Sequence, residues 1–172
     1  IALGVQSVID YAKEGISFLF GSLANDGSIF AVNVLGVIIF ISAVVSVLYY
    51  LGIMQFVIRL IGGGLAKLLG TSKLETISSS ANIFLGQTEA PLLIKPYVEK
   101  LTESELFTVM VGGLASVSGS ILVGYSLLGI PIEYLVSASF MSAPAGLIIS
   151  KIIIPEIKEA KVNEEIEMVK DD

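Results

Sequence analysis

The chain has 172 residues, of which 54% are hydrophobic and 15% are charged, and its net charge is −6. Soluble domains carry about 25% charged residues, so this composition is typical of a membrane protein. The absence of cysteine and histidine excludes disulfides, thiolate metal sites and imidazole catalysis, and no basic patch suited to nucleic acid occurs.

The first predicted element is an amphipathic helix over residues 4–20. Apolar side chains recur there at helical spacing, and Asp10, Lys13 and Glu14 lie elsewhere on the helical wheel. This pattern favours a helix lying in the membrane interface. A soluble helix packed against a neighbour is the alternative.

A membrane span and a second interfacial helix follow. Residues 29–50 carry no charge and exceed the roughly 20 apolar residues that a span requires. Residues 51–70 again show apolar side chains on one face, and the glycine run at 62–64 permits a bend.

The next segment, residues 73–100, has a polar motif at its centre, Gly86-Gln87-Thr88-Glu89-Ala90-Pro91. The apolar arms on either side of the motif are each shorter than the roughly 20 residues needed to cross a bilayer. The segment is therefore either one kinked span or a re-entrant helical hairpin with residues 86–91 at its tip.

The distribution of basic residues favours the hairpin. A hairpin places nine of the ten lysines and arginines on one side of the membrane, with Lys13 alone on the other. A single span divides the same residues three against seven. Because cytoplasmic loops are enriched in lysine and arginine, we expect the open end of the hairpin in the cytoplasm.

Two further spans are predicted, over residues 104–126 and 132–152. A stretch rich in glycine and serine at 112–120 weakens the first helix near its middle, and residues 142–146 interrupt the second. Residues 156–172 form a charged tail without a span of its own.

The hairpin tip has the chemistry of a binding site. Glu89 offers a carboxylate, Gln87 an amide and Thr88 a hydroxyl, which suit a neutral, hydroxyl-rich solute and would repel an anion. Asn82, together with the region of Ser116, could surround a hard cation with oxygen atoms.

Structural alternatives exist for these residues. Glu89 could cap the second arm, and residues 78–80, which are all serines, could be a packing face of small residues. No phosphate loop surrounds the glycines at 62–64, because neither a strand nor a Lys-Ser/Thr pair flanks them. No nucleophile and base can be paired, so an enzyme is not predicted.

The motif at 86–91 and its surroundings resemble the concentrative nucleoside transporters, in their bacterial, sodium-coupled form. The matching stretches are residues 48–55 (LYYLGIMQ), 105–120 (ELFTVMVGGLASVSGS) and 131–141 (PIEYLVSASFM). The resemblance implies that the nucleoside contacts four residues, Gln87, Thr88, Glu89 and Ile121. It also implies that sodium is held by the side chains of Asn82 and Ser116 and by the carbonyls of Leu85 and Val117.

The resemblance further implies a symporter of the bacterial inner membrane that imports nucleosides as a homotrimer, by an elevator movement. Residues 1–50 then belong to the scaffold, 51–155 to the transport domain and 156–172 to a cytoplasmic tail or loop. Sodium is the expected coupling ion, with protons as the alternative and no organic cofactor.

Only one of the family's two inverted repeats is present. We therefore expect a segment that needs the remaining half of the transporter as its partner. A membrane assembly or gate-type module with a similar hairpin but no nucleoside transport is the alternative function.

Overall fold

The computed structural model describes residues 2–25 and 29–158, and every regular element within these ranges is a helix. The seven α-helices are α1 (Ala2–Phe20), α2 (Gly36–Tyr50), α3 (Ile53–Leu69), α4 (Lys73–Ala81), α5 (Glu103–Leu114), α6 (Gly119–Leu127) and α7 (Ile132–Ile153). Two 3-10 segments cover Gly21–Ala24 and Ala90–Lys100, and a π-helical turn, Ala31–Leu35, leads into α2. The predicted all-α class is confirmed. Most of the predicted tail at 156–172 lies outside the described residues.

The predicted amphipathic helix at the N-terminus is α1. Ile9, Ala12 and Ile16 are buried and share a cluster with Val37 of α2. The opposite face leaves Tyr11, Phe18 and Leu19 exposed. One face of α1 therefore packs against its neighbour, and its location in a membrane interface stays a prediction.

Two helices in the described part of the chain are long and apolar enough to cross a membrane, Ala31–Tyr50 and Ile132–Ile153. They correspond to the predicted spans at 29–50 and 132–152. The predicted interruption at 142–146 is wrong, because α7 continues through Pro144. A proline inside a helix removes one backbone donor, and α7 remains one continuous helix in spite of that loss.

The predicted helix at 104–126 is not continuous. It consists of α5 and α6, which are separated by residues 115–118. The hydroxyl of Ser116 donates to the carbonyl of Gly112 at 2.7 Å. A serine hydroxyl bonded to a carbonyl four residues earlier slightly weakens a helix, and here, where glycine and serine are frequent, the expected weak point is a complete break.

Helix α3 continues without a break through the glycine run at 62–64. Gly62 serves close packing. A Cβ atom at Gly62 would lie 3.3 Å from the Cα of Ile77 in α4, whereas a Cβ atom at Gly63 would meet nothing within 4 Å.

Helix α4 is the centre of the fold, since every residue from Leu74 to Ile83 is buried. Helices α3, α5 and α7 and the 3-10 segment Ala90–Lys100 all pack around it. The segment Ala90–Lys100, hereafter the second arm, contributes Leu93 and Ile94 to the same apolar cluster as Leu74 and Ile77. The chain thus folds back on itself between residues 73 and 100, as a helical hairpin requires.

The contact between Gly62 and α4 can be tested by substitution. We expect Gly62→Leu to lower the free energy of unfolding by about 1–3 kcal/mol, because the added side chain overpacks the contact with Ile77. The matched control is Gly63→Leu on the same helix, which should have little effect. The measurement is the midpoint of thermal unfolding of the full-length protein in detergent, and equal midpoints for the two variants would contradict the close packing.

Candidate functional site

The hairpin is broken between α4 and the second arm, over residues 82–89, hereafter the hairpin break. The amide of Leu85 still donates to the carbonyl of Ala81 at 2.8 Å, and the amides of Glu89 and Ala90 both donate to the carbonyl of Gly86 at 3.0 Å. Two tight turns therefore replace regular helix, and Pro91 then lies in the first turn of the second arm.

The three polar residues of the tip, Gln87, Thr88 and Glu89, are all exposed. One carboxylate oxygen of Glu89, Oε2, accepts the amide hydrogen of Gly86 at 3.0 Å. The alternative in which Glu89 caps the second arm is therefore wrong, because its carboxylate holds the turn at Gly86 instead. Its other oxygen, Oε1, accepts no hydrogen bond within residues 2–25 and 29–158, so a solute could use it.

Asn82, the first residue of the hairpin break, is only 1% exposed. Its Nδ2 donates to the carbonyl of Ser78 at 3.2 Å. Its Oδ1 is buried and has no hydrogen-bond partner in the described part of the chain. Leaving a buried acceptor unpaired costs about 1–3 kcal/mol, so such an oxygen invites a donor or a cation.

The interruption between α5 and α6, residues 115–118, lies directly against the hairpin break. The amide of Gly119 donates to the carbonyl of Phe84 at 3.3 Å. Gly112 leaves room for Asn82, because a Cβ atom there would lie 3.4 Å from Nδ2 of Asn82. Glycine at 112 and 119 therefore allows the two interruptions to meet.

The structure places the two segments that carry the residues assigned to sodium side by side, and the assignment itself stays a prediction. The Ser116 hydroxyl uses its hydrogen on the carbonyl of Gly112, which leaves its oxygen able to accept or to coordinate. The carbonyls of Leu85 and Val117 accept no backbone hydrogen bond from the described residues. These atoms and Oδ1 of Asn82 are oxygens of the kind that hard cations prefer, and they lie on the two adjacent interruptions.

Ile121, the apolar residue assigned to the nucleoside, is half-exposed in the first turn of α6. A cavity of about 290 Å³ lies between α6 and α7, and Ser116 and Val117 are part of its wall. None of the residues assigned to the nucleoside, Gln87, Thr88, Glu89 and Ile121, lines this cavity. The polar tip and this mostly apolar cavity are therefore separate features of the site region.

Ser139 of α7 is a site residue that the sequence did not reveal. Its hydroxyl donates to the carbonyl of Ile83 at 3.2 Å and is buried. This bond satisfies one of the carbonyls that the end of α4 leaves unpaired. One of several serines within an apolar helix resembles a packing residue, and only the position of α7 beside the hairpin break shows its role.

The chain is similar to a known protein family and to several bacterial transporters. Residues 31–131 match the family described as "Gate: Nucleoside recognition". The uncharacterized transporter YutK of Bacillus subtilis is 62% identical over 159 residues, which cover 91% of this chain and 39% of that protein. The nucleoside permease NupC of Helicobacter pylori is 54% identical over 164 residues, covering 91% of this chain and 39% of the permease.

A mammalian relative and a solved structure extend the match. The sodium/nucleoside cotransporter 1 of Rattus norvegicus is 48% identical over 162 residues, covering 94% of this chain and 25% of the cotransporter. The structure of CNTnw in an inward-facing, substrate-bound state superposes with a TM-score of 0.89 at 48% identity, covering 95% of this chain and 42% of CNTnw. These matches confirm the predicted polytopic membrane fold, and this chain spans about two-fifths of the bacterial relatives.

The bond between Ser139 and the hairpin break predicts a stability difference between two serines of α7. Ser139→Ala should lower the free energy of unfolding by about 1 kcal/mol, because the carbonyl of Ile83 loses its donor. Ser137→Ala is the control, since its exposed hydroxyl bonds only to the carbonyl of Glu133 in its own helix. The comparison is of unfolding midpoints for the full-length protein, and an equal loss in both variants would refute the role of Ser139.

Proposed function

Because the chain belongs to the nucleoside-recognition Gate family and, with relatives such as NupC, to the concentrative nucleoside transporters, we propose that it forms part of a sodium-coupled nucleoside symporter. The observation that carries the proposal is the buried, unpartnered Oδ1 of Asn82. It lies where the hairpin break meets the interruption at 115–118, and broken helices of this kind bind substrates and ions in transporters.

We propose that the hairpin tip contacts the nucleoside. Gln87 can both donate and accept hydrogen bonds, Thr88 offers a hydroxyl, and Glu89 has one carboxylate oxygen free of the turn. A nucleoside is neutral and carries ribose hydroxyls and base amides, which match these groups. Ile121 supplies an apolar surface from α6, against which a base ring could pack.

The coupling ion is proposed to be sodium, transported together with the nucleoside. Its ligands are the side-chain oxygens of Asn82 and Ser116 and the carbonyl oxygens of Leu85 and Val117. Neutral oxygens suffice for a monovalent cation, and a positive charge removes the cost of leaving Oδ1 of Asn82 unpaired. Proton coupling is less favoured, since no ionisable side chain belongs to this set.

Coupling follows from the place of the two proposed sites in the chain. Asn82 and Leu85 belong to the same short break as Gln87, Thr88 and Glu89, so a cation that orders residues 82–85 also restricts the tip. Sodium would then raise the affinity for the nucleoside, and the nucleoside must raise the affinity for sodium by the same factor.

The chain covers 39% of its bacterial relatives, and we propose that the other part of the nucleoside site comes from a second repeat of the transporter. In this proposal residues 1–50 belong to a scaffold and 51–155 to a moving transport domain. The complete protein would be a homotrimer of the bacterial inner membrane that carries nucleosides by an elevator movement.

The first test concerns the carboxylate at the tip. In the full-length protein, Glu89→Gln should abolish uptake of labelled uridine while leaving membrane insertion unchanged, because the amide cannot replace both carboxylate oxygens. Glu99→Gln, at an exposed position of the second arm, is the control and should transport normally. Normal uptake by the Glu89 variant would refute the site. Absence of uridine binding by the unaltered protein, with or without sodium, would instead favour the gate-type module.

The second test concerns the ion. Asn82→Ala should raise the sodium concentration for half-maximal uridine uptake by roughly 10-fold or more, because losing even an outer-shell partner of a metal ligand costs about 10- to 100-fold in affinity. Ser80→Ala is the control, because its hydroxyl is equally buried in α4 but faces Gly62 of α3. The dependence of uptake on sodium at constant pH gives the result, and an unchanged dependence in the Asn82 variant would exclude this cation site.

A further inference from the structure

A polar cluster closes the end of the fold opposite the hairpin tip. It consists of Lys151 in the last turn of α7 together with Glu75, Thr102, Ser104 and Glu156, and is called the Lys151 cluster below. The ammonium nitrogen of Lys151 lies 2.7 Å from Oε2 of Glu75, 2.8 Å from Oγ of Ser104 and 3.4 Å from Oε2 of Glu156. One side chain therefore joins α7 to the starts of α4 and α5.

The charges of the cluster are arranged to complement one another. Glu75 is 1% exposed and lies in the first turn of α4, where its Oε1 accepts the amide hydrogen of Ser72 at 2.8 Å. Lys151 is 19% exposed and lies at the C-terminal end of α7. A carboxylate at a helix start and an ammonium at a helix end both oppose the helix dipole, so each charge is favoured where it lies.

The neutral members complete the cluster with directed hydrogen bonds. The hydroxyl of Ser104 accepts from Lys151 and donates to the carbonyl of Ile154 at 2.7 Å, and the hydroxyl of Thr102 donates to Glu156 at 2.7 Å. Burial would raise the pKa of Glu156, but the bonds from Thr102 and the amide of Lys158 and the charge of Lys151 outweigh it and lower the pKa. Glu156 is therefore ionised at neutral pH beside the ammonium group.

Helix α4 is thus attached to α7 at both of its ends. Glu75 at its start is paired with Lys151, and the carbonyl of Ile83 just past its end accepts from Ser139. Rigid helices transmit the position of one attachment to the other. Removing the side chain of Lys151 should therefore change the position of the hairpin break relative to α7, although Lys151 belongs to neither proposed site.

We propose that Lys151 is a positioning residue for transport. By holding Glu75 and Ser104 against the end of α7, it fixes the first arm of the hairpin, and so sets the geometry of residues 82–89. The inference rests on the proposed function for its consequence in transport, whereas its structural part, the restraint of the hairpin by α7, can be measured without transport.

The central variant is the pair Glu75→Gln and Lys151→Met in the full-length protein. Removing Lys151 alone would leave Glu75 as an unpaired buried charge and destabilise the fold, whereas removing both charges together avoids that penalty. We expect near-normal thermal stability, but apparent KM values for uridine and sodium raised roughly 2- to 30-fold, with little change in maximal rate. The single variant Lys151→Arg keeps the positive charge and should retain most of the affinity for uridine and sodium. Lys95→Met, at an exposed position, is the control.

A second measurement reports the position of the hairpin directly. Residues 1–172 contain no cysteine, so once any cysteine elsewhere in the full-length protein is replaced, spin labels can be attached at Leu92→Cys, just after the hairpin break, and at Met141→Cys on α7, both exposed positions. The distance distribution between the labels should broaden in the double variant and stay narrow with Lys151→Arg. If the double variant does not insert into membranes, Glu75→Gln alone takes its place in both measurements.

Each outcome decides the proposal. Raised KM values with normal stability, together with a broadened label distribution, support it, whereas unchanged KM values or an unchanged distribution overturn it. If the unaltered protein transports no uridine, the proposed function fails. The label distances then decide alone, with broadening supporting the positioning role of Lys151 and an unchanged distribution refuting it.

Discussion

The structure depends on one unusual constraint, the complete burial of a polar helix. Helix α4 carries consecutive serines at 78–80, yet every residue from Leu74 to Ile83 is inside the protein. Small residues make this possible, since Gly62 of α3 and Gly112 of α5 let the backbones approach closely enough for contact with α4. The neighbouring helices that pack around α4 therefore keep its polar residues away from the surface.

The same constraint creates the site. A helix that ends inside a protein leaves carbonyl groups that need partners. Ser139 and the amide of Gly119 satisfy the carbonyls of Ile83 and Phe84, but nothing in the described residues satisfies Oδ1 of Asn82. The two satisfied carbonyls hold the hairpin break in place, and the unpartnered Oδ1 of Asn82 is an oxygen that a cation would stabilise. Structure and proposed ion binding thus have the same physical origin.

Prediction from the sequence succeeded where the signal is local. The polar tip between two short arms and the weakness of the helix at 104–126 follow from short-range chemistry, whereas the hairpin was favoured over a single span by the distribution of basic residues along the chain. Prediction failed at Pro144, where a helix embedded among neighbours tolerates the loss of one bond. It also missed Ser139 and the partner of Lys151, because a single serine or a terminal lysine has many ordinary explanations.

Composition and periodicity were enough to determine that this is a helical membrane protein and to locate the acidic tip of the hairpin, because long apolar runs and an acidic residue between two of them can be recognised from neighbouring residues alone. The pairing of Glu75 with Lys151, the contact between the two helix interruptions and the unpartnered oxygen of Asn82 were decided by the tertiary structure alone. These features join residues far apart in the chain. Whether a buried polar atom has a partner depends on which distant helix packs beside it, and no local pattern encodes that neighbour.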